Sequence, residues 1–433
     1  MAGMLDDIEK GGEAAVLKWA KTLDKWEGAV VVPPAQIKAA AALVSDEVKK
    51  DIQYAHARIK AFAEAQRGSM SDLKVELSPG YFAGHKLVPV GVAGCYVPGG
   101  RYAHVASALM TVTTAKSAGV PTVVACSPPR SKDGIHPAVL YAFDIAGADH
   151  VLCLGGVQAL AAMAHGLFTG KPCDVLVGPG NMYVIEAKRM LFGSCCGIDM
   201  IAGPTEVAVL ADATADAYVV AADLVGQGEH GPDSPQVCVT TDAALGAKVL
   251  ELVPKLIADL PEFSRKLAEV SWRDYGEIIV VDTREEMAAV SDEVASEHLE
   301  VHCADLAWWH ETLRNYGSLF LGEETSVALG DKCSGPNHVL PTRNSSRWTG
   351  GLYVGMFIKT LSYQHCSAEA AKEVSRACAS ISREEGMEAH ARTADVRLDK
   401  YGYGATDKTA ERRAAMKAEG YTRGALSVDS KLA

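Results

Sequence analysis

DVLVGPGNMYVIEAKRMLF, residues 174–192, reads from a strand through a glycine turn into a helix. The apolar run that ends at Val177 is short, as a strand buried on both faces is. From Asn181 onward the apolar residues recur at helical spacing. Between the two, GPGN puts backbone N–H groups in a tight turn just ahead of a helix N-terminus, an arrangement that favours an anion. The same grammar repeats in both directions. Strands are expected over residues 122–126, 150–154, 174–177, 206–211, 236–240 and 277–281, and helices over 181–192, 214–229 and 243–258. Such alternation implies βαβ units and parallel sheets covered on both faces, and the number of strands calls for more than one sheet. An Ala- and Lys-rich N-terminal region reads as helices over about residues 3–25 and 34–68.

Three further glycine turns resemble the first: GCYVPGGRY (94–102), LGGVQ (154–158) and AGPTE (202–206). Taken singly, each is an ordinary strand-to-helix connection more readily than a ligand loop; four in succession favour a pocket. None fits G-x-G-x-x-G, so no motif names a dinucleotide.

Composition narrows the class. With 433 residues, 48% hydrophobic and 22% charged, the chain has material for two or three cores. No apolar run reaches bilayer length and the first residues lack a basic region leading into an apolar one, so a cytoplasmic protein without a membrane partner is expected. Eleven cysteines show no paired spacing and read as reduced small hydrophobes. A net charge of -12 argues against a general nucleic-acid surface but leaves room for a local basic pocket.

The chemistry concentrates in a few segments. GDKCSGPNHVLPT (330–342) places Asp331, Lys332, Cys333 and His338 on one glycine- and proline-broken loop, either part of a site or a solvated surface turn. Gln227 and His230, three apart on one helical face, could share an ion with Asp331 and with His390 of EEGMEAHARTAD. Two imidazoles and two oxygens suit zinc, although a Q-x-x-H pair alone is more often solvated or capping. Glu297 and His298, in SEHLEVH, would serve as base and acid if both reach one cleft; the alternative is a partly exposed helix start. His165, His302 and His310 read as structural.

Together GCYVPGG, LGGVQALAAMAHG, VGPGNMYVIEAKRMLFG, IDMIAGPTEVAVLAD, GQGEHGPD, SEHLEV, SGPNHVLPT and EAHARTADVRL resemble, in this order, the histidinol dehydrogenase family over about residues 80–400. The resemblance implies an α/β fold of two Rossmann-like parallel-sheet domains, a helical N-terminal region and a C-terminal extension swapped between the subunits of a homodimer. It divides the chain into residues 1–95 plus 207–351 (zinc and catalytic side), 96–206 (NAD side) and 352–433. It further implies a zinc-dependent, NAD-linked, four-electron oxidation of a primary alcohol through an aldehyde to a carboxylate. The family's zinc ligands fall on Gln227, His230, Asp331 and His390, one ion per subunit, and its acid–base pair on Glu297 and His298. The substrate-site histidine falls on His338, the NAD contacts on Tyr96, Gln158 and Asn181, and Glu385 beside His390 is implied to complete the partner's site.

Departures from the family pattern bear on substrate. In TSVALGD, Val327 stands where the family carries a glutamate suited to a cationic amine. His104 is a new donor, Ala106 and Thr205 each replace a serine, Lys332 follows the zinc aspartate, and Arg343 and Arg347 come just after NHVLPT. Loss of an acid with gain of donors points to a small anionic diol, and the chain resembles the branch that oxidises 2,3-dihydroxypropane-1-sulfonate to 3-sulfolactate. The tail DKYGYGATDKTAERRAAMKAEGYTRG is longer than the family pattern. Two other readings stand beside this one: histidinol oxidation itself, and a catalytically silent dimeric binding protein on the same scaffold.

Overall fold

The structure, a computed structural model, describes residues 1–100 and 102–404 together with 414, 415 and 418. It divides into two compact units, residues 1–70 with 89–359 and residues 71–88 with 360–433.

The first unit holds two five-stranded sheets, every neighbouring pair of strands parallel. In chain order one sheet contains Val92–Tyr96, Thr122–Ser127, His150–Cys153, Val175–Val177 and Gly197–Ile198. The other contains Val207–Ala211, Gln236–Thr240, Gly276–Val280, His298–His302 and Ser318–Leu321. Both have the spatial order third, second, first, fourth, fifth, so the same doubly wound topology is built twice in succession. Central strands such as Thr122–Ser127 and Val207–Ala211 are buried along their whole length, which is why they read as unbroken apolar runs. Helices start where sequence supplies caps: Asn181 accepts from Tyr183 and Val184, Asp216 from Tyr218, and Asp242 from Ala244 and Leu245.

The six expected strands are found within a residue or two of their positions; four others of these sheets, Val92–Tyr96, Gly197–Ile198, His298–His302 and Ser318–Leu321, were not foreseen. Val92–Tyr96 lay inside a segment read as a glycine turn, and it runs through the domain boundary expected at residues 95 and 96. His298–His302 is a buried strand, not an exposed helix start; polar side chains on one of its faces masked the apolar signal. The stretch 34–68 is two helices, Pro34–Ala39 and Asp46–Gly68, because Ser45 caps a new start by accepting from Val48. These N-terminal helices pack with the first sheet's helices, Ala2–Trp19 against Gly156–Ala164 and Asp46–Gly68 against Val105–Ser117. The N-terminal region therefore goes with the 96–206 part and not with 207–351, because its apolar faces join the clusters around the first sheet.

The second unit is small. Leu73–Ser78, Tyr81–Pro89 and Ile358–Cys366 form a three-stranded sheet in that order, and Ala371–Glu384 packs on Glu388–Lys400 through Ala379, Ala391 and Ala394. Arg383 pairs with the fully buried Asp395. Val374, Ile381 and Met387 stay exposed. Beyond residue 404 the long tail lies outside the described residues, apart from the three positions named above. No described helix is long and apolar enough to cross a membrane.

Candidate active site

Glu297 and His298 sit at the entry of the strand His298–His302, 5% and 2% exposed. The neighbouring strand's Glu206 holds both by its main chain: its N–H donates to Glu297 Oε2 at 2.9 Å, and its carbonyl lies 3.0 Å from His298 Nδ1. A carbonyl can only accept, so in the neutral ring the proton belongs on Nδ1 and the lone pair on Nε2. Nε2 is buried, makes no hydrogen bond and faces Asp331 Oδ1 at 3.4 Å. Burial pulls the imidazole down, but Glu297 and Asp331 outweigh it and hold it well above the ordinary histidine value. Burial raises the Glu297 carboxyl, against the opposing pull of His298.

Three of the four residues implied as zinc ligands converge on this pair. Asp331, on the short helix Val327–Lys332, lies 3.9 Å from His230 Nε2 through Oδ2. Gln227, one turn before His230 and 3% exposed, brings its side-chain amide to 3.2 Å from His298 Nδ1. Burial raises Asp331, yet His298, His338 and Lys332 together hold it well below the usual carboxylate range. Burial lowers His230, which favours the neutral imidazole that a metal ion requires. A neutral imidazole facing a carboxylate, with an amide against the same His298 ring whose Nε2 is buried and unpartnered, is a donor set that fits zinc. His390 and Glu385 belong to the second unit, where both are exposed.

A cavity of about 580 Å³ opens over these groups. Its wall at this end includes Tyr102, His104, Ser107, Thr205, His230, Glu297, His298, Asp331, Lys332, His338 and Arg343. His338 is a fixed neutral ring: Nδ1 donates to the Asp331 carbonyl at 2.8 Å and Nε2 accepts from Ser107 Oγ at 2.8 Å. His104, at the start of the helix Val105–Ser117, is pushed down to about 4 by burial and by the imidazoles of His338 and His230, so it too is neutral near pH 7. Lys332 and Arg343 are the basic side chains of the wall.

Two residues singled out from sequence are elsewhere. Val327 is 4% exposed and packs in the apolar cluster with Val207, Val220, Leu224 and Phe320; it does not line the cavity, because its helix turns that side chain toward the sheet. Arg347 donates to the Glu293 carbonyl and is likewise absent from the wall.

The far end of the cavity lies at the carboxyl ends of the first sheet's first and fourth strands, where the strand order reverses and such sheets bind ligands. Tyr96, Gly155, Gly156, Gly180 and Asn181 line it. Gly178 must be glycine: its φ is +121° and a Cβ there would lie 2.1 Å from the Tyr96 carbonyl oxygen. A buried ion pair fixes the loop: Lys188 bonds Asp199 and the Gly178 carbonyl, and Asp199 accepts the Gly178 N–H. Gln158 is 1% exposed and lies behind the wall, donating to Asp24 Oδ2 at 2.8 Å; Asp24, which also accepts from Gly155 at 3.1 Å, is the carboxylate that reaches the cavity. Sequence reasoning missed Asp24, since it comes from the end of the N-terminal helical region, and it missed Glu206, whose contribution is made by its main chain.

The comparisons with known proteins agree with this geometry. A family model for histidinol dehydrogenase matches residues 1–398. A histidinol dehydrogenase homolog of Pelagibacter ubique is 56% identical over 401 residues, 92% of this chain and 94% of the relative. The sulfopropanediol 3-dehydrogenase of Ruegeria pomeroyi is 53% identical over 398 residues, 92% of this chain and 91% of the relative. The crystal structure of histidinol dehydrogenase from Elizabethkingia anophelis superposes with a TM-score of 0.88 at 32% identity, covering 93% of this chain and 92% of that one. With two successive doubly wound sheets, a buried Glu–His pair beside a donor set that fits zinc and these full-length matches, the chain belongs to the histidinol dehydrogenase family, whose members are NAD-dependent, zinc-binding oxidoreductases.

Proposed function

We propose that this chain oxidises 2,3-dihydroxypropane-1-sulfonate to 3-sulfolactate through a bound aldehyde. The alcohol carbon loses two hydrides to two NAD in turn, gains one oxygen from water and releases three protons. The observation that carries the reading is that Lys332 and Arg343 share one cavity wall with Glu297, His298 and Asp331. Two cations within reach of the acid–base pair suit a substrate with a permanently anionic end. The 53% identity to a relative named for sulfopropanediol supports the same choice.

In this reading the neutral form of His298 takes the hydroxyl proton at Nε2, the one ring nitrogen that bonds nothing, and Glu297 and Asp331 strengthen it as a base. Glu297, raised by burial, activates the water that adds to the aldehyde. Neutral His104 and Thr205 donate to the substrate's oxygens, while His338, whose one ring proton goes to the Asp331 carbonyl, holds Ser107 on the same wall. Gln227, His230 and Asp331, with His390 of the partner subunit as fourth donor, would hold one zinc ion per subunit, whose contribution is Lewis-acid polarisation of the alcohol oxygen. Glu385 of the partner subunit closes the site. The small alanine cluster between the second unit's two helices and its exposed Val374 and Ile381 support a swapped homodimer. At the far end Tyr96 and Asn181 contact NAD and Asp24, positioned by Gln158, accepts from a ribose diol.

One observation favours a second reading. Asp233 is an exposed carboxylate on the same wall and could meet the amine of histidinol. NADH formation with each alcohol separates the two. Turnover of dihydroxypropanesulfonate with little on histidinol is expected, whereas histidinol turnover abolished by Asp233→Asn, with none on the sulfonate, would overturn the proposal.

A further inference from the structure

The strand that carries His298 also carries two buried ionisable side chains that the site above does not use. Residues alternate faces along a strand, so Glu300 and His302 point the same way as His298, the last of them roughly 13 Å along the chain at ~3.3 Å per residue. Glu300 is 0% exposed and His302 2%. Glu300 Oε1 accepts the Val327 N–H at 2.7 Å, but Oε2 has no hydrogen-bond partner. Neither ring nitrogen of His302 has one, nor does Oδ2 of Asp223 on the facing helix Ala217–Gly228. His302 Nε2 lies 3.7 Å from Asp223 Oδ2 and 3.9 Å from Glu300 Oε2. One ligand atom from each of the three residues lies within 4.8 Å of the other two.

Several buried polar atoms left unpartnered destabilise the fold unless something satisfies them. The charged groups that bear on the cluster are themselves acidic, Glu323 and Glu324 after the strand Ser318–Leu321, with His298 on the strand itself. Burial and this crowding push Asp223 up to about 6 and Glu300 up to about 8, the response of carboxylates short of positive charge. The position in the fold is also telling. His302 ends the fourth strand opposite Ala211, which ends the first, so the cluster lies at the carboxyl side of the place where this sheet's strand order reverses. The equivalent place in the first sheet forms the far end of the cavity, and open α/β sheets bind ligands there.

We infer that Asp223, Glu300 and His302 form a second divalent-cation site, separate from the donor set of Gln227, His230 and Asp331. Two carboxylates and one imidazole suit zinc or manganese, and with His302 Nε2 3.7 Å from Asp223 and 3.9 Å from Glu300 small side-chain shifts bring the three atoms onto one ion. The ion ties the helix to the strand. Asp223 lies one turn before Gln227 and His302 four residues after His298, so it sets the register in which the helix presents Gln227 and His230 to the acid–base pair.

Metal content of the purified dimer after zinc or manganese loading and dialysis tests this, with wild type, His302→Ala, Glu300→Gln and Asp331→Ala compared. Two ions per chain are expected in wild type, and one each in His302→Ala and Asp331→Ala. An equal count in wild type and a folded His302→Ala would overturn the inference. If His302→Ala does not fold, Asp331→Ala decides, since complete loss of metal there means that a single site exists. A count in Asp331→Ala equal to wild type would instead strike at the first site and leave this one standing.

Discussion

Glu206 shows how much one backbone position can decide. Its N–H orients Glu297 and its carbonyl fixes the tautomer of His298, while burial, aided by the Glu297 charge, pushes its own carboxyl up to about 7 from 4.5. A raised carboxyl stabilises the fold fully below about pH 4.5 and loses that contribution as pH rises through about 7. Glu206→Gln mimics the protonated form and can still accept from Arg343. Urea midpoints should therefore favour the variant over wild type more at pH 8 than at pH 4.5; the same difference at both would mean the carboxyl is not perturbed. Asp24 supports a second expectation. If it takes the ribose diol, Asp24→Asn weakens NAD binding about tenfold, roughly 1.4 kcal/mol, and narrows the preference over NADP. Calorimetric titration of both nucleotides reads this without turnover. Neither residue announced itself in sequence: Asp24 sits in an unremarkable TLDKW segment, and Glu206 acts through atoms every residue has.

Among the elements, the loop between Val175–Val177 and Met182–Leu191 was legible from its residues alone, because glycine, proline and a capping asparagine each have a local reason to be there. Its support was not. Lys188 is 2% exposed and bonds three oxygens, one of them on Asp199, and a buried ion pair eleven residues apart leaves no periodic trace. Removing one partner strands the other charge, which costs about 3–5 kcal/mol. Lys188→Met should lose that much stability in urea and weaken NAD binding at the loop; unchanged NAD affinity in a folded variant would separate the clamp from the cofactor end. The strand His298–His302 was misread for the opposite reason. Function has placed His298, Glu300 and His302 on one of its faces, so a strand buried along its whole length lacks the unbroken apolar run that identifies one. Val327 was misassigned because position in a motif says which residue aligns, not which way its side chain turns.

Across the whole chain, one topology is used twice with different ends put to work. The first sheet offers its carboxyl edge to the cavity, whereas the second contributes Glu206, Glu297 and His298 from its amino edge and keeps the Asp223, Glu300 and His302 cluster at the other. Alternating strands and helices made both sheets readable, but not that the N-terminal helices cover the first one, since pairing between distant helices depends on complementary faces and not on spacing. His230, Asp331, Glu297 and His298 line one cavity, with the Gln227 amide against His298, and the proposed reaction keeps the aldehyde at this one site through both oxidation steps. The stoichiometry of NADH per dihydroxypropanesulfonate consumed, measured at exhaustion of limiting substrate with sulfolactate quantified alongside, tests that claim most directly. Two NADH with one sulfolactate is the predicted result; one NADH with accumulating aldehyde would contradict it.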